Sequence, residues 1–222
     1  YTERLVALPN LGCAYEPTGA TPQAPSQRLA PDGVPVLVCP GVPFKYAPAY
    51  DALLIGIARA LGRCRFVFFS HRSGLSPLLR RRMELAFRRE GLDFADFGVF
   101  VPWLDRGPFL GLLQSADAML DTTGFSGFNT AMQAVEAGTP IIAMKGAFMR
   151  GRFASAILRR MELDELVAAS ANDYVDIASR IGRDAAYRRE LRERIAGRRA
   201  ILFNDEAPVR ALEAFLAEAA GA

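Results

Sequence analysis

From Val34 onward, short apolar runs alternate with longer amphipathic segments, and that alternation restricts the chain to few architectures. The runs Val34–Cys39, Arg65–Ser70, Phe97–Val101, Ala118–Asp121 and Ile141–Met144 have strand length. Between them the spacing predicts helices over Tyr50–Leu61, from Ser76 (N-cap, with Pro77 at the first helical position) to Glu90-Gly91, over Pro108–Ala116, from Phe128 to Glu136, and over Arg152–Glu162. A short sixth strand is predicted at Leu166–Ala168, and helices over Asn172–Arg183, Ala185–Arg199 and Ala207–Ala219 close the chain. Parallel strands need long crossover connections, which a helix supplies, and such crossovers are right-handed. The expected fold is therefore α/β, a Rossmann-like doubly wound parallel sheet over residues 33–222. Residues 1–32 read differently. Arg4–Leu8 resembles one short strand, and Thr18–Asp32 is rich in Pro, Gly, Ala, Ser and Gln without periodicity. This segment is expected to be the end of a preceding lobe and its linker.

Composition removes several classes. With 51% hydrophobic residues in 222, the chain can bury a large core. No apolar run approaches the roughly 20 residues of a bilayer helix, so no membrane association is expected. Tyr1-Thr2-Glu3-Arg4 is not a signal peptide and reads as the interior of a longer protein. Cys13, Cys39 and Cys64 are odd in number and lack CxxC spacing, which argues against a disulfide framework or a zinc site and for a reducing cytoplasm. A net charge of +3 is small for a nucleic-acid binder, and Arg80-Arg81-Arg82 and Arg188-Arg189 read as solvated helix faces. Lys45 and Lys145 are the lysines among 27 basic residues, a bias expected of a GC-rich bacterial genome.

The segment from Leu120 to Pro140 carries the chemistry. An apolar strand enters the turn Asp121-Thr122-Thr123-Gly124-Phe125-Ser126-Gly127, and the turn opens a helix whose first amides lack intrahelical acceptors. Such a helix start favours a phosphate, and Gly124 and Gly127 let the backbone approach it closely. Phe128, Met132 and Val135 form the face that packs on the sheet; Asn129, Gln133 and Glu136 form another, expected to look outward past the ligand. Ala137-Gly138-Thr139-Pro140 ends the helix. A turn whose glycines serve packing alone is the alternative, weakened by the polar side chains crowded into it.

In doubly wound sheets, ligands bind beyond the carboxyl ends of the strands. That directs attention to the loops Pro40–Pro48, Ser70–Leu75, Pro102–Gly107, Thr122–Gly127 and Lys145–Gly151, which hold Lys45, His71, Lys145 and Arg150. A cation there can neutralise a diphosphate, although a solvated strand-end lysine is equally common. His71, the single histidine, either touches substrate or is an ordinary loop residue. No G-x-G-x-x-G follows the first strand, and no P-loop, D-x-D or G-x-S-x-G is present, which removes a standard NAD site, a P-loop nucleotide site and a serine hydrolase. Asp96-Phe97-Gly98 imitates a kinase motif without its partners.

The stretch from Phe100-Val101-Pro102-Trp103 through Ala116-Asp117-Ala118-Met119-Leu120-Asp121-Thr122 to Ala137-Gly138-Thr139-Pro140 resembles the C-terminal lobe of the O-GlcNAc transferase family. Those are GT-B glycosyltransferases, commonly preceded by tetratricopeptide repeats. The similarity runs from about Val34 to the C-terminus and includes Phe44-Lys45, Gly151-Arg152-Phe153-Ala154-Ser155 and Leu163-Asp164-Glu165-Leu166. The resemblance implies a UDP-sugar donor, UDP-GlcNAc by default, with neither metal nor other cofactor. Lys45 matches the family's diphosphate-contacting lysine, Arg106 stands where the family has a lysine beside the nucleoside, and Leu104 would offer backbone groups to the uracil. Gly127, Phe128, Asn129 and Thr130 occupy the helix start that binds the diphosphate; of a histidine and two threonines found there in eukaryotic members, only Thr130 is kept. Gln133 replaces a ribose-binding aspartate. Inverting transfer to protein Ser/Thr follows by resemblance, with Lys45 stabilising the leaving diphosphate. The acceptor and general base would belong to an N-terminal lobe almost wholly outside these residues. A GT-B enzyme acting on a glycan or small molecule, and a non-catalytic sugar-nucleotide-binding module, are the alternatives.

Overall fold

A computed structural model describes residues 2–221. Six strands form one sheet: β1 (Val36–Val38), β2 (Arg65–Phe69), β3 (Gly98–Val101), β4 (Ala118–Leu120), β5 (Ile141–Met144) and β6 (Val167–Ala168). Their order is β3-β2-β1-β4-β5-β6, and every pair is parallel. Leu37, Val38, Phe66, Val67, Met119, Ile141 and Ile142 are fully buried, as strands covered on both faces must be. The covering helices are α1 (Asp51–Leu61), α2 (Ser76–Arg89), α3 (Phe94–Phe97), α4 (Arg106–Ser115), α5 (Asn129–Glu136), α6 (Phe153–Arg160), α7 (Ala171–Arg183), α8 (Ala185–Arg198) and α9 (Ala207–Ala220). One layer sets α2 and α7 against α1; the other sets α4, α5 and α6 side by side. The expected doubly wound architecture is the one observed. Among the described residues, no helix is long and apolar enough to cross a membrane.

Register at the centre is set by Asp117. Its amide donates to the Val36 carbonyl (2.8 Å) and its carboxylate accepts the Val36 N–H (2.7 Å), so β1 and β4 begin level. Arg188 of α8 pairs with the same carboxylate at 2.9 Å.

Several local expectations shift. Arg4–Leu8 forms no strand. Phe97 belongs to the one-turn α3, which Asp93 caps by accepting the Ala95 N–H (2.9 Å), so β3 starts at Gly98. Ser76 is the first residue of α2 rather than its cap, because its hydroxyl accepts the His71 N–H (2.9 Å) from the preceding loop. Helix α4 begins two residues early, at Arg106, which places that side chain on a helix instead of a loop. The segment before β1 is irregular yet fastened. Gln23 donates its N–H to the Gly107 carbonyl (3.0 Å), and Thr18 gives its amide (3.1 Å) and hydroxyl (2.8 Å) to the Glu136 carboxylate. Glu136 thus holds this strap and does not look outward past a ligand.

The strap crosses α4 at Gly111, where a Cβ would lie 1.7 Å from the Gln23 carbonyl oxygen. Gly111→Ala is expected to lower stability by about 1–3 kcal/mol through overpacking and to expose the Thr18–Asp32 stretch to protease. Denaturant unfolding and limited proteolysis measure both; an unchanged midpoint with an intact strap would contradict the close crossing.

Candidate functional site

The chain leaves β1 toward β2 on one side and returns to β4 on the other, so the loops following β1 and β4 diverge at the middle of the sheet. That switch point opens the crevice in which open α/β sheets bind ligands. Here the two loops touch: a Cβ on Gly41 would lie 2.9 Å from the Thr122 side chain. Lys45 ends a 3₁₀ turn, Pro43–Lys45, and its ammonium lies 4.5 Å from the centre of the Phe125 ring, across the crevice. It is half-buried, and burial lowers its pKa against the opposing pull of the Asp121 carboxylate.

The glycine turn is built differently from its sequence reading. Gly124 has φ +81°, a conformation that glycine adopts without strain. The Gly127 N–H, expected to face a ligand, instead donates inward to Asp121 Oδ1 at 2.9 Å. A Cβ there would lie 2.1 Å from Thr130 Oγ1, so any larger residue would force that hydroxyl to turn away. Ser126 also serves the structure: its hydroxyl accepts the Ala154 N–H at the start of α6 (2.9 Å), and its amide donates to the Arg150 carbonyl (2.8 Å). Tyr174 of α7, fully buried, donates its hydroxyl to the Asp121 carbonyl at 3.0 Å. Part of the polar crowding is therefore internal bracing. Asp121 is 5% exposed, and burial pushes its carboxyl up to about 6, opposed by hydrogen bonds from Ser126, Gly127 and Thr122 and by Lys45.

No side chain caps α5, which leaves the first-turn amides at Asn129 and Thr130 for another acceptor. Asn129 is exposed there. The Phe128 ring is committed elsewhere, edge-on to both Tyr15 and Phe153 at 5.8 Å, so this residue has only its backbone to offer.

Beside the helix start lies a cavity of about 180 Å³, lined by Pro40, Phe69, Trp103, Leu104, Arg106, Phe109, Thr130 and Gln133. Leu104, Arg106, Thr130 and Gln133, chosen from sequence, come together here; Lys45 lines the adjacent cavity with Asp121, Thr122 and Thr123. Phe69 meets Trp103 at 6.5 Å and Phe109 at 5.5 Å, an aromatic wall suited to a planar base. The sequence reading missed Phe69, Phe109 and Trp103 as site residues, along with Tyr174. Phe69 at the carboxyl end of β2 and Trp103 just beyond β3 were the available signal, since strand ends line this crevice.

His71 stacks edge-on to Trp103 at 5.5 Å, and its Nδ1 accepts the Ser73 N–H (3.2 Å), so its ring reaches the site through Trp103. Lys145 and Arg150 are exposed, with the Arg150 guanidinium over the Phe148 ring at 4.8 Å. Among the described residues, no three His, Cys, Asp or Glu side chains group as metal ligands.

The family described as glycosyl transferase family 41 matches residues 106–210. The chain is 25% identical over 162 residues to the UDP-N-acetylglucosamine–peptide N-acetylglucosaminyltransferase of Giardia intestinalis, covering 72% of this chain and 11% of that protein. The Caenorhabditis elegans protein of the same name is 35% identical over 82 residues, 37% of this chain and 7% of the relative. The chain thus spans a small part of the curated relatives that it matches. Among solved structures, a mutant of the Thermobaculum terrenum O-GlcNAc transferase superposes with TM-score 0.79 and 28% identity over 98% of this chain and 41% of that one. Sucrose-phosphate synthase from Thermosynechococcus elongatus shares the fold, with TM-score 0.60 and 21% identity over 87% of this chain and 47% of that one. The switch-point crevice and these likenesses agree: residues 106–210 carry the glycosyl transferase family 41 domain, and the chain has the GT-B fold of the O-GlcNAc transferase that it superposes on.

Proposed function

We propose that this chain is the donor-binding half of an inverting, metal-independent protein O-glycosyltransferase that uses a UDP-sugar, UDP-GlcNAc by default. The observation that carries the reading is the meeting of Lys45 with Phe125 of the glycine turn, which leads into the uncapped α5 at the switch point, together with an aromatic cavity beside that helix start. The uracil would lie against Phe69, Trp103 and Phe109 near Leu104 and Arg106, and Gln133 would hydrogen-bond the ribose as an uncharged partner. The diphosphate would bridge from the amides of Asn129 and Thr130 to Lys45.

In the reaction, an acceptor Ser/Thr oxygen bonds to the anomeric carbon from the face opposite the departing UDP, and the bond from that carbon to the β-phosphate oxygen breaks. The acceptor proton passes to a base outside this chain's site, on a facing N-terminal lobe. Negative charge gathering on the β-phosphate is stabilised by Lys45 and the α5 amides, groups fixed before the reaction begins. The names of the Giardia and nematode relatives support a peptide acceptor.

Lys45→Ala is expected to weaken UDP by about ten-fold or more, since a hydrogen bond to a charged group contributes roughly 1.5–3 kcal/mol, while leaving uridine nearly unchanged. Gln133→Ala should weaken uridine and UDP by similar factors. Calorimetry on both ligands reads the split; equal losses for Lys45→Ala would remove Lys45 from the phosphate.

UDP affinity is expected to survive EDTA, because no cluster of metal-ligating side chains occurs among the described residues. A large loss on chelation, restored by a divalent cation, would put the carboxylates of Asp105 and Asp121 into a metal site instead.

A further inference from the structure

Asp121 stands at the carboxyl end of β4, nearly buried, with Oδ1 2.9 Å from the Gly127 amide. It shares one cavity with Lys45. The groups around it come from three parts of the chain: Cys39 and, beyond it, Lys45 and Tyr46 after β1, Tyr174 on α7, and Asp51 on α1, whose carboxylate is already paired with Arg82 at 2.8 Å. Among the described residues, Lys45 is the cation acting on it. The Gly127 amide is thus engaged by an internal anion, and the Lys45 ammonium is that anion's counter-charge.

We propose that Asp121 is a positioning residue that holds the Gly127 amide and shapes the glycine turn, and that its carboxylate takes up a proton when an anionic diphosphate binds at Lys45. The inference rests on the donor-site reading above. A diphosphate at Lys45 removes the carboxylate's counter-charge and adds negative charge of its own, and like charges at a buried site do not both stay ionised. One proton from solvent adds to a carboxylate oxygen and no other bond changes. The acid keeps a carbonyl oxygen that accepts the Gly127 N–H, so the turn survives neutralisation. Burial has already brought the carboxyl to about 6, so a modest further rise suffices near neutral pH. The sign follows. Above about pH 6 the ligand-free carboxyl is ionised and the ligand-bound one protonated, so binding consumes a proton and weakens as pH rises.

The test is calorimetric titration of the 222-residue chain with UDP-GlcNAc, whose diphosphate keeps a fixed charge, in buffers of different ionisation heat. Neutral uridine is the control. From about pH 6 to about pH 8, affinity for UDP-GlcNAc should fall roughly ten-fold with up to about one proton taken up, while uridine stays level. Asp121→Asn keeps an oxygen for the Gly127 amide but cannot ionise; it should bind UDP-GlcNAc independently of pH and, at about pH 8, more tightly than the natural chain. The proton count on the natural chain decides the matter even if the variant fails to fold. A level affinity without proton uptake, or a variant that keeps the slope, overturns the role of Asp121 alone. A chain that binds neither UDP-GlcNAc nor uridine at any pH overturns the donor-site reading and this inference with it.

Discussion

The adjacency of β1 and β4 is the constraint on which the candidate site depends. Each strand carries a loop with part of the site, Lys45 after one and the glycine turn after the other, and residues far apart in sequence meet because the two strands pair. Asp117 sets that pairing by exchanging hydrogen bonds with Val36 through both its backbone and its carboxylate. A slip of one residue would turn every side chain of β4 to the opposite face of the sheet and would carry Asp121 away from Lys45, with which it lines one cavity. The salt bridge to Arg188 and the Arg192 bonds to the carbonyls of Ala116 and Gly138 tie the same end of β4 to α8. The C-terminal helices thereby support the register from the edge opposite the site.

A second layer of bracing surrounds the glycine turn. Gly146 and Gly151 approach so closely that a Cβ on Gly146 would lie 2.9 Å from the Gly151 backbone, and a Cβ on Gly151 3.3 Å from the Gly124 carbonyl oxygen. The loop after β5 therefore rests directly on the turn after β4. With Ser126 bonded to both Arg150 and Ala154, the turn is held from the α6 side, while Tyr174 holds its β4 end from the opposite layer. Binding energy need not be spent on ordering a turn fixed in this way.

Much of the fold was legible in the sequence because alternation of buried strands and helices reflects a single physical demand, the covering of both sheet faces. All five principal strands and the helices between them fall within a few residues of their expected positions. The misses lie where a tertiary partner decides. Ser76 fits a cap by residue type, but the His71 amide claims its hydroxyl; Phe97 fits a strand by hydropathy, but Asp93 winds it into a turn of helix. At the site, Lys45, Leu104, Arg106, Thr130 and Gln133 could be placed because strand-end loops and a family likeness mark them. The inward Gly127 amide, the strap on Glu136 and the Tyr174 hydroxyl could not, because each depends on which of several polar partners a folded chain brings nearest.

The substitutions at the start of α5 change how charge is met more than where a ligand would lie. Phe128 places a ring between Tyr15 and Phe153, so the position adds packing and no ligand-directed side chain. Gln133, which lines the cavity beside the helix start, brings an uncharged amide there. Among the described residues, Asp51 of the same cavity is paired with Arg82, which leaves Asp121 and Lys45 as the charges coupled to each other there. Weakening either changes the field felt by the other. Burial of Asp121 strengthens that coupling, since Coulomb interactions strengthen as the effective dielectric falls. On the proposed function Lys45 serves both donor affinity and the leaving diphosphate, so the charge state of Asp121 would bear on ground-state binding and chemistry together.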